Sequence, residues 1–212
     1  MLCRARTEIP IGDTFPAVTN TTYVAPSASL VGDVNVGDAC YIGYGAVLRG
    51  DEAAVNVHLK SRIGDGAVLA TAKSVATGLN AETFVGNYST VGAGCVLRSA
   101  TLDGFCVVGD NSVLGEGSIM EECSELEAGS VLPAGHRVPA GEVYGGNPAT
   151  FVRMLSKTEA FERRTAAQEA YTMITTAHRD EFLPVGSEWK DAEARREALA
   201  KLLASKDPAL AA

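Results

Sequence analysis

The chain has 212 residues, of which 46% are hydrophobic, so it carries enough apolar material for a sizeable core. Its formal net charge of -8 argues against a nucleic-acid surface, because phosphate binding draws on clustered Lys and Arg side chains that this sequence lacks. The five cysteines are odd in number and show no C-x-x-C spacing, which disfavours a disulfide framework or a zinc ribbon. No apolar run has the length of a membrane span.

Aliphatic residues recur every six positions after an N-terminal extension that covers residues 1–23. The first series is Val24, Leu30, Val36, Ile42 and Leu48. An insertion around residues 51–56 precedes Val57, Ile63 and Leu69, and a looser segment over residues 73–83 precedes Val85, Val91 and Leu97. After a five-residue step, the series ends with Leu102, Val108, Leu114, Met120, Leu126, Leu132 and Val138. A fixed short period of this kind predicts a repeat architecture.

Glycine often follows the aliphatic residue, and the fifth position of each unit is small. We expect this glycine to allow the backbone angles of a sharp turn, and the small residues to fit crowded corners. Cys40, Cys95 and Cys106 stand at apolar repeat positions and are interpreted as small buried hydrophobes. Three six-residue units close a triangular coil of roughly eighteen residues. The pattern therefore predicts an all-β solenoid over residues 24–150, a left-handed parallel β-helix of hexapeptide repeats.

The composition changes to charged residues and alanine from Ser156 onward, within a segment covering residues 151–212. Ser156 and Glu159 form an S-x-x-E capping box, which predicts a helix start. One apolar stripe follows at Ala167, Tyr171, Ile174 and His178. Pro184 and Gly186 interrupt it before a second helical pattern at 189–205. These C-terminal α-helices are expected to pack on the solenoid or on a neighbouring subunit.

Three segments carry a family resemblance. The stretches YGAVLRGD (44–51), TVGAGCVLRSATLDG (90–104) and VPAGEVYGGNPATFVRML (138–155) resemble the γ-class carbonic anhydrases. The resemblance covers nearly the whole chain. The helix that ends in Ala177-His178 is similar to the C-terminal helix of the mitochondrial members, which are subunits of respiratory complex I.

The resemblance implies a zinc site whose ligands are missing here. In that family three histidines bind zinc between adjacent subunits of a trimer, and the metal-bound water attacks carbon dioxide. The matching positions in this sequence are Ala70, Ala93 and Arg98. Alanine has no donor atom, and a guanidinium stays protonated and cannot coordinate a cation. The resemblance therefore implies no catalytic residue and no metal held by this chain alone.

Three matching residues remain, namely Arg49, Asp51 and Asp65. In the family they form ion pairs between subunits, so we expect a chain that kept the trimer and lost the catalysis. The expected role is a structural subunit of a heterotrimer with related chains, in the carbonic anhydrase domain of complex I. That domain lies on the matrix side of the mitochondrial inner membrane, where contact with the membrane arises through the membrane-arm subunits. Zinc is then expected only at an interface between two competent paralogues.

Two enzymatic alternatives remain open. One is a hexapeptide-repeat acyl- or acetyltransferase, with His58 as the base beside a coenzyme A groove, against which the RGD and GGNPATFVRML motifs stand. The other is an active γ-carbonic anhydrase with relocated ligands. His58, His136 and His178 lie on separate segments, so we do not expect them to converge within one subunit. A stand-alone homotrimeric scaffold is a further, non-enzymatic alternative.

Overall fold

The six-residue period places successive short strands on three faces of a prism, because each coil adds one strand to each face. The computed structural model describes residues 7–76, 78 and 80–167. Strands are numbered in chain order. Face A is formed by β1 (Glu8–Ile9), the first halves of β4 (Ser29–Val36) and β6 (Val47–Val57), β8 (Val68–Ala70), β11 (Val96–Arg98), β14 (Val113–Leu114) and β17 (Val131–Leu132).

Faces B and C complete the prism. Face B is formed by β2 (Ala17–Val18), the second halves of β4 and β6, β9 (Thr83–Val85), β12 (Thr101–Leu102), β15 (Ile119–Met120) and β18 (Arg137–Val138). Face C is formed by β3 (Tyr23–Val24), β5 (Tyr41–Ile42), β7 (Arg62–Ile63), β10 (Thr90–Val91), β13 (Val107–Val108), β16 (Glu125–Leu126), β19 (Glu142–Gly145) and β20 (Thr150–Met154). The pairs are parallel except that β20 runs antiparallel to β19. The predicted parallel β-solenoid is confirmed.

The core is a set of internal ladders of aliphatic side chains. On face A, backbone register aligns Leu48, Leu69, Leu97, Leu114 and Leu132 on successive strands, and each is at most 1% exposed. Two irregular segments lie at the edge between faces A and B. They are the insertion at residues 51–56, inside β6, and the loop between β8 and β9. The ladder therefore stays in register where the sequence period is broken.

The glycines that follow the aliphatic residues allow the backbones of successive coils to approach closely. This corrects the expectation that these glycines provide the backbone angles of the turns. A Cβ atom on Gly64 would lie 2.5 Å from the carbonyl carbon of Gly92, and one on Gly115 would lie 2.6 Å from the amide nitrogen of Ala134. The positive φ angles occur two positions later, at Gly66 and Gly94. Coil backbones approach too closely at the first position for any side chain.

The edge between faces B and C differs from the other two, because most of its residues with positive φ are not glycine. Ala39, Lys60, Tyr88, Phe105 and Cys123 have φ angles between 53° and 60°. The side chains of Lys60, Tyr88 and Phe105 stack along the edge. The Tyr88 and Phe105 rings are parallel with centroids 5.0 Å apart, and the Lys60 ammonium lies over Tyr88. This stacking accompanies a conformation that L-residues adopt only at some cost.

The described residues on the two sides of the predicted solenoid, residues 24–150, differ in structure. Within the N-terminal extension, β1 and β2 pair in parallel with β4, so residues 8–18 continue faces A and B. At the other end a helix begins at residue 157 and is described to residue 167. The predicted capping box is confirmed, since the Glu159 carboxylate accepts from the Ser156 amide at 2.8 Å and the Ser156 hydroxyl accepts from the Glu159 amide. The rest of the apolar stripe and the second predicted helix lie outside the described residues.

Two arginines hold the described part of this helix on the last coils. Arg163 pairs with Glu125 at 2.6 Å and Arg164 pairs with Glu122 at 2.7 Å. Arg164 also donates to the Cys123 sulfur at 3.1 Å and lies over the Phe105 ring. In the part of the chain that the structure describes, no helix is long and apolar enough to cross a membrane.

Truncation of one ladder residue tests the stacking. Leu69→Ala should lower the free energy of unfolding by about 3 kcal/mol, because it opens a cavity between two coils that cannot collapse independently. The matched control Leu59→Ala, at a side chain 38% exposed, should cost less than about 1 kcal/mol. Urea denaturation of both variants measures the difference. Equal losses would contradict the ladder as the source of stability.

Candidate functional site

Face A carries three of the positions that the sequence singled out, and it places them side by side. Arg49, Ala70 and Arg98 are register partners on β6, β8 and β11, so they form one row across three neighbouring strands. All three point outward, because the leucine before each of them is buried. The row lies where face A turns into face B.

Ala93 lies elsewhere. It is exposed in the turn between β10 and β11, at the edge between faces C and A, and its amide donates to the Asp110 carboxylate at 2.8 Å. Asp65 occupies the same edge one coil earlier. Face A therefore separates Ala93 from the row of Arg49, Ala70 and Arg98. A site that uses all of these positions needs a neighbouring chain.

The donor set at these positions does not fit zinc. Two methyl groups and a guanidinium provide no lone pair for a cation, and Arg98 would repel the metal. Among the described residues there is no cluster of three or more His, Cys, Asp or Glu side chains that could hold a metal ion. No step through zinc can be derived from this chain.

The retained charged residues have partners within the chain. Arg49 donates from Nε and Nη2 to Oδ2 of Asp51, at 2.8 Å and 2.7 Å. Oδ1 of Asp65 accepts from the Tyr44 amide at 2.8 Å and so braces the corner. The inter-subunit ion pairs of Arg49, Asp51 and Asp65 stay a prediction.

Sequence reasoning missed two features of face A. Arg98 pairs with Glu116, its Nε lying 3.0 Å from Oε1 in the loop after β14. An outward valine column runs beside the arginine row, through Val47, Val68, Val96, Val113 and Val131. Val96 and Val113 are 40% and 39% exposed. The sequence signal was present, because each of these valines precedes a ladder leucine in a recurring Val-Leu pair.

The histidines do not come together in the described chain. His58 lies at the edge between faces B and C, with its ring centroid 4.6 Å from that of Phe84. His136 lies at the edge between faces A and B, where Nδ1 is 3.4 Å from the Ala134 carbonyl oxygen. His178 is outside the described residues. The expectation that these three do not converge is met for His58 and His136.

A shallow groove of about 650 Å³ lies beside β2. His58 lines it together with Asn35, Asn56, Asn87 and Asp38. Asn35 and Asn56 are register partners, and Nδ2 of Asn35 donates to Oδ1 of Asn56 at 3.2 Å. This is the place where a ligand of the transferase alternative would meet His58.

The buried thiols are poor nucleophiles. Burial raises the pKa of Cys40 to about 11 and that of Cys106 to about 12. Burial also raises the pKa of Cys95. Each of these sulfurs lies within hydrogen-bond range of a backbone carbonyl, as for Cys40 and His58 at 2.9 Å. They are packing residues rather than catalytic ones, as the sequence predicted.

These raised pKa values predict how stability depends on pH. The thiols of the unfolded chain ionise near pH 9, whereas those of the folded chain stay protonated to higher pH. The free energy of unfolding is therefore unaffected by these thiols below pH 9 and decreases as pH rises toward 11. Urea midpoints at pH 7.5, 9 and 10.5 should stay level and then drop. A Cys40→Ala/Cys106→Ala variant should show a smaller drop.

Native protein at pH 8 should resist alkylation at both sulfurs, and rapid labelling would contradict their burial.

Comparisons with known proteins agree with the solenoid fold and with the family motifs in the sequence. The chain is 47% identical over 180 residues to "Gamma carbonic anhydrase 3, mitochondrial" of Arabidopsis thaliana, covering 85% of this chain and 69% of that one. It is 44% identical over 191 residues to "Gamma carbonic anhydrase-like 2, mitochondrial" of the same plant, covering 90% and 74%. A solved hexapeptide transferase family protein from Anaplasma phagocytophilum superposes with a TM-score of 0.75 at 33% identity, covering 83% and 99%. No family model matches the chain.

The coils and their outward rows define a hexapeptide-repeat protein of the parallel β-solenoid class. Within that class, identity to the plant proteins over most of the chain decides the family. The chain belongs to the γ-carbonic anhydrase family, which confirms the resemblance that the sequence motifs indicated.

Proposed function

We propose that this chain is a non-catalytic, structural subunit of a γ-carbonic anhydrase-type trimer. One observation carries the proposal: Ala70, Ala93 and Arg98 stand where the family's three zinc ligands are expected, and none of them can bind zinc. The solenoid around these positions is intact, with a fully buried aliphatic core. Loss of the metal site without loss of the fold fits a role in assembly.

The valine column supports assembly through face A. Contiguous apolar surface on a soluble protein commonly marks an interaction site. The column lies between the row of Arg49, Ala70 and Arg98 at one edge of the face and Ala93 with Asp65 at the other. A related chain docked along this face would bring the two edges together across the interface. That arrangement is the one that the family's shared sites require.

The proposed partners are related chains, in a heterotrimer. If two of the three subunits carry all three histidines, the interface between those two alone can hold a complete zinc site. With one competent subunit, no complete site remains. The proposed location is the matrix side of the mitochondrial inner membrane, in the carbonic anhydrase domain of complex I. The mitochondrial designation of the Arabidopsis relatives supports a mitochondrial location. The proposal includes contact between this domain and the membrane-arm subunits of complex I.

Metal analysis tests the non-catalytic role. The purified chain should contain no stoichiometric zinc and should not hydrate carbon dioxide, because its ligand positions offer no donor. The triple variant Ala70→His/Ala93→His/Arg98→His should gain zinc wherever the subunits assemble with the family's geometry. The double variant that keeps Ala93 supplies only two imidazoles and is the matched control. Stoichiometric zinc or carbon dioxide hydration in the unchanged chain would refute the proposal.

Disruption of the valine column tests the assembly. Val113→Glu should shift the oligomer toward monomer by at least about tenfold in dissociation constant, because a carboxylate buried in an apolar interface is not solvated. Ile119→Glu makes a comparable change on an outward position of face B and should leave the assembly unchanged. Native mass spectrometry of the chain co-expressed with its histidine-bearing relatives measures both. A trimer that tolerates Val113→Glu as well as Ile119→Glu would show that face A is not the interface.

A transferase is the second candidate function, favoured by one observation. His58 lines the groove beside β2, and the superposed Anaplasma protein is described as a hexapeptide transferase family protein. The packing of His58 on Phe84 rather than on a carboxylate counts against a positioned base. Calorimetry with acetyl coenzyme A separates the two functions. Binding that His58→Ala abolishes would favour the transferase.

A further inference from the structure

The groove beside β2 has the size of a small-molecule site. Its volume of about 650 Å³ lies within the range of about 300–1,000 Å³ that is usual for such sites. Asp38, Leu59 and Asn87 line it and follow one another on successive coils at the edge between faces B and C. Asp38 and Asn87 are therefore separated by two coil spacings, about 10 Å. The groove thus presents a polar group at each end with an apolar side chain between them.

Two acceptor oxygens in the groove have no partner among the described residues. Nδ2 of Asn35 donates to Oδ1 of Asp33 at 3.1 Å and to Oδ1 of Asn56, which leaves Oδ1 of Asn35 to accept from a ligand. Oδ1 of Asp38 accepts from the Thr21 hydroxyl at 3.1 Å, which orients the carboxylate and leaves Oδ2. Both side chains are therefore held in place by other contacts while one oxygen of each stays available.

The lining carries negative charge without a basic side chain to balance it. Glu8 and Asp38 contribute carboxylates, and among the described residues that line the groove there is no Lys or Arg. His58 and Asn87 add a ring nitrogen and an amide oxygen as further acceptors. The phosphates of coenzyme A would be repelled here, whereas a cation with N–H donors would be attracted.

We propose that this groove binds a linear aliphatic di- or polyamine. One ammonium group donates to the available oxygens of Asp38 and Asn35, and a second donates to the amide oxygen of Asn87 at the other end. The methylene groups between them lie on Val18 and on Leu59, whose side chain is 38% exposed. The inference does not rest on the proposed non-catalytic function, because it requires only this chain. Docking of a subunit along face A would leave the groove open.

Titration with cadaverine at constant ionic strength tests the site, with the side-chain amide signals of ¹⁵N-labelled protein as the readout. The Nδ2 signals of Asn35, Asn56 and Asn87 should shift with cadaverine and not with tetramethylammonium, which has the charge but no N–H donor. Asp38→Asn should weaken binding by about fivefold, the loss expected for one exposed ion pair. Glu162→Gln removes an equal charge from an exposed position of the terminal helix and is the matched control.

The spacing of the two ends gives a second test. The unchanged chain should bind cadaverine more tightly than pentylamine, which has a single ammonium group, and Asn87→Leu should abolish this difference because the acceptor at the far end is lost. Thermal unfolding of each variant checks that the fold is intact. The proposal is overturned if cadaverine leaves the amide signals unmoved, if the two amines bind the unchanged chain equally, or if Asp38→Asn binds cadaverine as tightly as Glu162→Gln does.

Discussion

The structure depends on one interaction, the stacking of aliphatic side chains between successive coils. A single coil has too little apolar surface to stay folded, and its hydrogen-bond donors and acceptors are satisfied only by the coils on either side. Leu69, for example, is fully buried because Leu48 and Leu97 lie directly above and below it in register. The small residues and the side-chain-free glycines exist to let these coils approach closely enough for that contact.

This arrangement separates folding from chemistry. The inward positions are committed to the ladders, so anything functional must stand on outward positions or in corners. Ala70 and Arg98 point outward and Ala93 lies in a turn, which means that none of them supports the core. Histidines at such positions can be replaced at little cost in stability. A family of enzymes on this scaffold can therefore give rise to subunits that keep the shape and lose the metal.

A residue that matches the family pattern can be explained by a contact within this chain as well as by a contact with another subunit. Asp65 braces its own corner by accepting the Tyr44 amide, so a local role accounts for it without a partner subunit. Arg49 and Asp51 already pair within the chain. The exposed valine column gives a more independent argument for a docking surface, because its side chains have no role in the interior. It connects the two edges where the family's shared sites would form.

The sequence by itself determined the solenoid, because a six-residue period of aliphatic residues has few ways to be buried. Its motifs also yield the prediction that Ala70, Ala93 and Arg98 stand at the family's zinc-ligand positions. It gave the right glycines but the wrong reason for them, since the distance between coils is not visible along one strand. Only the tertiary structure showed that Arg49, Ala70 and Arg98 form one row while Ala93 lies across face A. It alone paired Arg98 with Glu116. Residues separated by insertions of unequal length become neighbours through coil register, and register is set by packing in three dimensions.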